Sequence, residues 1–209
     1  VVQKSEDPAQ PAPRPRGRPR SFDVETTLAQ ATLAFWQRGY ASTSMDDLSA
    51  ATGLNRPSLY GAFGDKHELY LRVLRLYTEQ SNAAIAAAFN DRPLSDGLLR
   101  VYELALQLYY PAEEAARGCL LIGTAATEAP RDEAIREQLG DSLRGFNAAF
   151  QARLQQAVDS GELPSGTDVA MRAQLASAVL HSMALRARAG DAREDVAAFA
   201  TASLHFVCA

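Results

Sequence analysis

At 209 residues, 47% hydrophobic and 22% charged, with a formal net charge of -4, the chain has an ordinary globular profile and is long enough to bury a substantial core. That balance excludes a protein that coats nucleic acid through bulk positive charge. The charge is nevertheless uneven: residues 1–66 hold 8 Lys and Arg against 7 Asp and Glu, and the remainder holds 13 against 18. A slightly basic start on an acidic body implies one surface that meets an anion and a larger part that does not.

Residues 1–20, VVQKSEDPAQPAPRPRGRPR, contain five prolines and almost no bulky apolar side chain. Such a segment cannot offset its ordering entropy by burial, so it is expected to be disordered when free. From Phe22 the pattern turns helical, with Val24, Leu28, Ala31 and Phe35 on one face of a helix ending near Gly39. Ser44 with Asp47 three residues later forms a capping-box pattern for a short second helix that Gly53 ends. After two residues comes RPSLYGAF, with Asn55 as cap and Pro57 in the first turn, where amide protons are unpaired. Two short helices on a Gly-containing turn make a helix-turn-helix candidate.

A second capping pattern, Asp65 with Glu68, opens a longer helix carrying Leu69, Val73, Leu76 and Tyr77. Further helices are expected over about 94–110, 118–127, 132–160, 167–189 and 192–207, separated at Pro93, Pro111, Pro130, Gly161 to Gly166 and Gly190. No alternating strand pattern and no repeat period intervenes. The fold class is all-α: a small N-terminal bundle and a larger C-terminal one. Leu28, Phe35, Trp36, Leu48, Leu59 and Phe63 are assigned to the core.

Cys119 and Cys208 are too few and too far apart for a disulfide framework or a zinc site, which points to a reducing compartment. No apolar run approaches the roughly 20 residues that span a bilayer, and no signal-peptide core is present, so a cytoplasmic location away from membranes is expected. Catalytic motifs are missing: there is no Gly-rich phosphate loop, no G-x-S-x-G elbow and no HExxH, and His67-Glu68 lacks a second histidine. Neither enzymatic activity, a cofactor nor a bound metal is expected.

Residues 22–71 carry Phe22-Asp23, Phe35, Gly39-Tyr40, Thr43-Ser44-Met45, Leu48, Gly53, Leu59-Tyr60, Phe63, Lys66 and Leu69 in order. This set resembles the N-terminal domain of the TetR/AcrR family of bacterial transcriptional regulators. The departures are Ser49, where alanine is usual, and Gly61-Ala62, where aromatic residues or histidine are common. The resemblance implies an arm over 1–20, a three-helix helix-turn-helix domain over 21–67, and a ligand-binding and dimerisation domain over 68–209. It further implies a repressor of bacterial cytoplasm and nucleoid, binding double-stranded palindromic operator DNA as a homodimer formed through the last two helices, and released by an unidentified small-molecule effector.

On that resemblance the segment from Asn55 is the recognition helix. Arg56 is the candidate for base readout, because a guanidinium can donate two hydrogen bonds to guanine O6 and N7. Pro57 and Ser58 share its first turn, and Thr43, Ser44, Tyr60 and Lys66 map onto positions that grip the DNA backbone, where hydroxyls and a lysine suit phosphate oxygens. Arg16-Gly17-Arg18-Pro19 looks like an AT-hook, so Arg16, Arg18 and Arg20 are candidates for the minor groove, with a purely electrostatic attraction to phosphates as the alternative.

In the larger domain Tyr102, Leu106, Tyr109, Cys119, Phe146, Phe150 and His181 are candidates to line a ligand cavity, against the plainer reading of ordinary core. Cys119 is either a buried small hydrophobe or a reactive thiol beside Arg117. Leu175, Val179 and Met183, with Val196, Phe199 and Leu204, are expected to form the dimer face. Two alternatives stay open: an activator without a small-molecule ligand, and a ligand- or redox-sensing helical protein of the same fold that uses Cys119.

Overall fold

Side-chain caps set where the first helices begin. In the computed structural model, which describes residues 22–112 and 115–209, Asp23 accepts the Glu25 amide at the start of α1 (Val24–Arg38). Ser44 and Asp47 form the full reciprocal box at α2 (Met45–Thr52), which closes at Gly53 in the left-handed region, φ 67°. Asn55 accepts the Ser58 amide at α3 (Arg56–Phe63), and Asp65 accepts the Glu68 amide at α4 (Lys66–Phe89). These bonds satisfy amides that the helices themselves leave unpaired. They hold a three-helix head whose centre is Phe35, Leu48, Leu59 and Phe63, all buried.

Ser49 does more than fit a tight approach. Its hydroxyl donates to the Leu54 carbonyl at 2.5 Å, tying the last turns of α2 to the turn that precedes α3. Arg38 of α1 forms an ion pair with Asp47, so the capping box is braced from outside as well.

The remaining elements are α5 (Leu94–Tyr109), a π-helical turn (Leu121–Ala125) running into the single turn α6 (Ala126–Glu128), α7 (Glu133–Asp159), α8 (Val169–Ala189) and α9 (Arg193–Cys208). Helix α7 packs on α4 and α8, and α9 packs on α5 and α8. The expected helix over 118–127 is therefore a π turn followed by a short α turn. Just before it, Gly118 has φ 64°, and a Cβ there would stand 2.4 Å from the Ala184 carbonyl of α8. Only glycine lets the chain pass this close.

Pro93 gives α5 no side-chain cap, and the help comes from the loop after α7. Glu162 accepts the Leu94 amide. Arg153 holds Glu162 at 2.7 Å and donates to the Arg92 carbonyl at 3.0 Å. Burial raises the Glu162 pKa, but the Leu94 amide and the Arg153 guanidinium outweigh it and keep the carboxyl below its usual range.

The last two helices correct one expectation. Val179, Met183 and Val196 point into the core, whereas Met171, Leu175, Leu185 and Phe206 are exposed. Helix α8 is apolar on both faces, so a 3.6-residue period fits the buried stripe and the outward one equally well. Residues Arg16, Arg18 and Arg20 lie outside the described residues.

Candidate nucleic-acid interface and effector cavity

The outward side of α3 presents Asn55, Arg56, Pro57 and Tyr60 to solvent, with Ser58 half-buried between them. Tyr60, 49% exposed, projects a phenol from the surface instead of packing in the head. Asn55 is committed to its cap through its carbonyl oxygen, 2.9 Å from the Ser58 amide. Arg56 is exposed and gripped by Asp46 of α2: its Nε donates to one carboxylate oxygen and its Nη2 pairs with the other.

At the neighbouring helix start, Ser44 is exposed, accepts the Asp47 amide at 3.1 Å and shares a 2.6 Å bond with the Asp47 carboxylate. The hydroxyl bond first, and then the Ser44 amide, which donates to the same carboxylate at 2.9 Å, hold Asp47 below the usual carboxylate range. Thr43 departs from the expected role. It is 1% exposed, and its hydroxyl donates to the Gly39 carbonyl at 2.6 Å, so it braces the α1–α2 turn from inside. A pattern of hydroxyls before a helix does not reveal which one faces inward.

Lys66 is half-buried, with Nζ 3.1 Å from the Tyr40 carbonyl and 4.3 Å from the centre of the Tyr40 ring. An ammonium has three donors, so two remain for other acceptors. The Tyr40 ring lies 4.7 Å from that of Tyr70, whose hydroxyl is 2.6 Å from Thr124 in the π turn. Thr124 donates its proton to the Leu120 carbonyl, so Tyr70 is the donor in that pair. A continuous set of contacts thus joins the π turn to Lys66 through α4.

Beside the π turn lies a cavity of about 310 Å³. Tyr109, Cys119 and Phe146 line it, together with Tyr77, Val101 and Leu180. Thr32 and Trp36 of α1 also line it, so a helix of the head forms part of the wall of a bundle cavity. Trp36 is held there by three contacts: its Nε1 donates to the Gly118 carbonyl at 3.1 Å, Tyr77 meets it edge-on, and the Arg117 guanidinium lies 4.3 Å from its ring.

Tyr102, Leu106, Phe150 and His181 are not part of this wall. Tyr102 is fully buried and donates to the Ala176 carbonyl of α8. Phe150 packs edge-on against Phe89 in the core. His181 is half-buried, its Nε2 has no partner among the described residues, and burial lowers its pKa.

Cys119 is buried, and burial pushes its thiol up, against the opposing hydrogen bond from the Tyr77 hydroxyl at 3.3 Å. The sulfur on the cavity wall is therefore a neutral thiol and a weak nucleophile at neutral pH. Tyr77 and Tyr109 are likewise raised by burial and stay protonated.

A two-helix reading motif on a hollow helical bundle defines a helix-turn-helix regulator. Residues 28–73 match the family described as bacterial regulatory proteins, tetR family, and residues 97–203 match the tetracyclin repressor-like C-terminal domain. The HTH-type transcriptional repressor ComR of Escherichia coli (strain K12) is 30% identical over 199 residues, 95% of each chain. Another repressor of that organism, BdcR, is 35% identical over 107 residues, covering 51% of this chain and 54% of its own. Among solved structures, a cysteine mutant of the TetR regulator CifR complexed with 26bp double-strand operator DNA superposes with a TM-score of 0.82 at 30% identity, covering 90% of this chain and 98% of its own. The chain belongs to the TetR family and is a transcriptional regulator.

Proposed function

We propose that the protein is a homodimeric repressor that binds a pseudo-palindromic operator through two copies of α3 and lets go when a small, mainly apolar molecule enters the cavity. The observation that carries this reading is Trp36. It belongs to the DNA-reading head yet forms part of the cavity wall, so an occupant touches the head directly. A ligand that prefers a different placement of Trp36 shifts the population away from the operator-competent arrangement. The volume suits a compact ligand, and Thr32, Gln80, Ser81 and the two tyrosine hydroxyls offer the few polar contacts that would orient it.

Arg56 and Ser58 are proposed to meet base edges, with Pro57 against a thymine methyl, and Ser44, Tyr60 and Lys66 to meet phosphates. The functional boundary is proposed at the first turn of α4, with 21–67 as head and 68–209 as effector and dimer unit. Dimerisation is supported by the exposed Met171, Leu175, Leu185 and Phe206 on the two C-terminal helices. No helix among the described residues is long and apolar enough to cross a membrane, which agrees with action on DNA in the bacterial cytoplasm. The names of ComR and BdcR favour repression over activation.

The test joins mobility-shift binding to DNA flanking the protein's own gene with fluorescence of Trp36, the only tryptophan of the chain. Small aromatic compounds that perturb the emission should release the DNA over the same concentration range. Compounds that perturb Trp36 and leave operator occupancy unchanged would remove effector release from the mechanism.

A further inference from the structure

Two short-range contacts fix Arg56, and both come from Asp46. The residues are ten positions apart on different helices, at the N-terminal ends of α2 and α3, with side chains 70% and 52% exposed. An exposed ion pair of this kind adds little to stability. A carboxylate beside a surface that meets phosphates is also unfavourable unless a cation neutralises it. The first turn of α2 favours a carboxylate, a demand Asp47 already meets in the capping box, and what distinguishes Asp46 is the geometry of its pair with Arg56.

The carboxylate takes Nε–H and one Nη2–H, the side-on edge of the guanidinium. Guanidinium is planar with five donors, so this grip leaves the end-on edge, Nη1 and the second Nη2–H, directed away from Asp46. That free edge has the two parallel donors that guanine O6 and N7 accept. We propose that Asp46 is a specificity-positioning residue: it fixes the plane and direction of Arg56 so that the recognition helix reads one guanine in each operator half-site.

This rests on the reading of Arg56 as a base-contacting residue, and the experiment separates the two. Binding of the full chain is measured to operator variants in which each base pair of one half-site is changed in turn, with wild type, Arg56→Ala, Asp46→Ala and the double variant. Preferences are taken as ratios between sequences, so a uniform gain from removing a carboxylate beside phosphates cancels. Both side chains are exposed, and unchanged thermal midpoints would show that the variants are folded.

Arg56→Ala should flatten the preference for guanine at one position by about 10-fold or more, and Asp46→Ala should flatten the same position by about 3- to 10-fold. Adding Asp46→Ala to Arg56→Ala should change nothing further there. If Asp46→Ala keeps the wild-type ratio at the Arg56-dependent base or sharpens it, the positioning role is overturned while base readout by Arg56 stands. A changed ratio at a base that Arg56→Ala does not affect would overturn it too, because Asp46 would then be reading DNA itself. If Arg56→Ala preserves every ratio, the underlying assignment of Arg56 falls.

Discussion

The head and the bundle are built alike and used in opposite ways. In the head, polar side chains mark the helix starts: Asp23, Ser44 with Asp47, Asn55 and Asp65 each close a helix end, and the groups that would meet DNA stand exposed or half-exposed beside them. In the bundle Asp132 and Asp168 cap α7 and α8 in the same manner, but the feature that would meet a ligand is a space between helices with a mainly apolar lining. A surface that binds a charged polymer must show its donors before the partner arrives. A pocket for a mainly apolar molecule needs shape and only a few polar groups to orient its occupant.

The contrast can be broken most forcefully at Phe35, which centres the head and meets Tyr70 of α4 edge-on at 4.9 Å. Phe35→Ala should lower stability by about 3–5 kcal/mol in urea unfolding, and a loss below about 1 kcal/mol would show that the caps alone carry the head. A part-buried ion pair of the bundle, Arg153 with Glu162, is the next test. Arg153→Met strands the Glu162 carboxylate beside Leu94 and should cost about 2 kcal/mol by the same measurement.

Ser44→Ala removes one side of the capping box and should cost about 1 kcal/mol, with a matching loss of operator affinity as α2 frays. An exposed pair that closes no helix end, Arg100 with Glu103 at 3.2 Å on α5, supplies the control: Arg100→Ala should change stability by less than about 0.5 kcal/mol. Equal effects from these two substitutions would erase the distinction between caps and ordinary surface charges. The smallest effect expected is acid sensitivity of the head. The Asp47 pKa is lowered on folding, so its contribution is present above the unfolded value near 3.8 and fades as pH falls through the lowered value. Asp47→Asn should flatten that acid limb in thermal melts taken across the range.

This difference also governs what can be read from the order of residues. The starts of α2, α3 and α4 are written as a cap with a partner three positions on, and the structure places Ser44, Asn55 and Asp65 at those ends, while the Asp23 cap of α1, bonded to Glu25 two positions on, is not read from that pattern. Thr43 shows the limit, because two adjacent hydroxyls look alike until the α1–α2 turn buries one. In the bundle, Tyr109, Cys119 and Phe146 reach the chamber while Tyr102, Leu106, Phe150 and His181 do not. Helical spacing gives a side chain's face but not whether the opposite helix leaves a gap there. Trp36 was legible as core and is core, at 4% exposure. Its second surface depends on Gly118, Tyr77 and the π turn, which lie far along the chain.

The shared wall at Thr32 and Trp36 also bears on how such proteins diversify and can be re-engineered. Swapping DNA-reading heads between relatives at the start of α4 would replace part of the chamber along with the recognition helix, so operator and effector choice would change together. A graft meant to redirect the operator alone would begin after Arg38 and keep α1 with its own bundle.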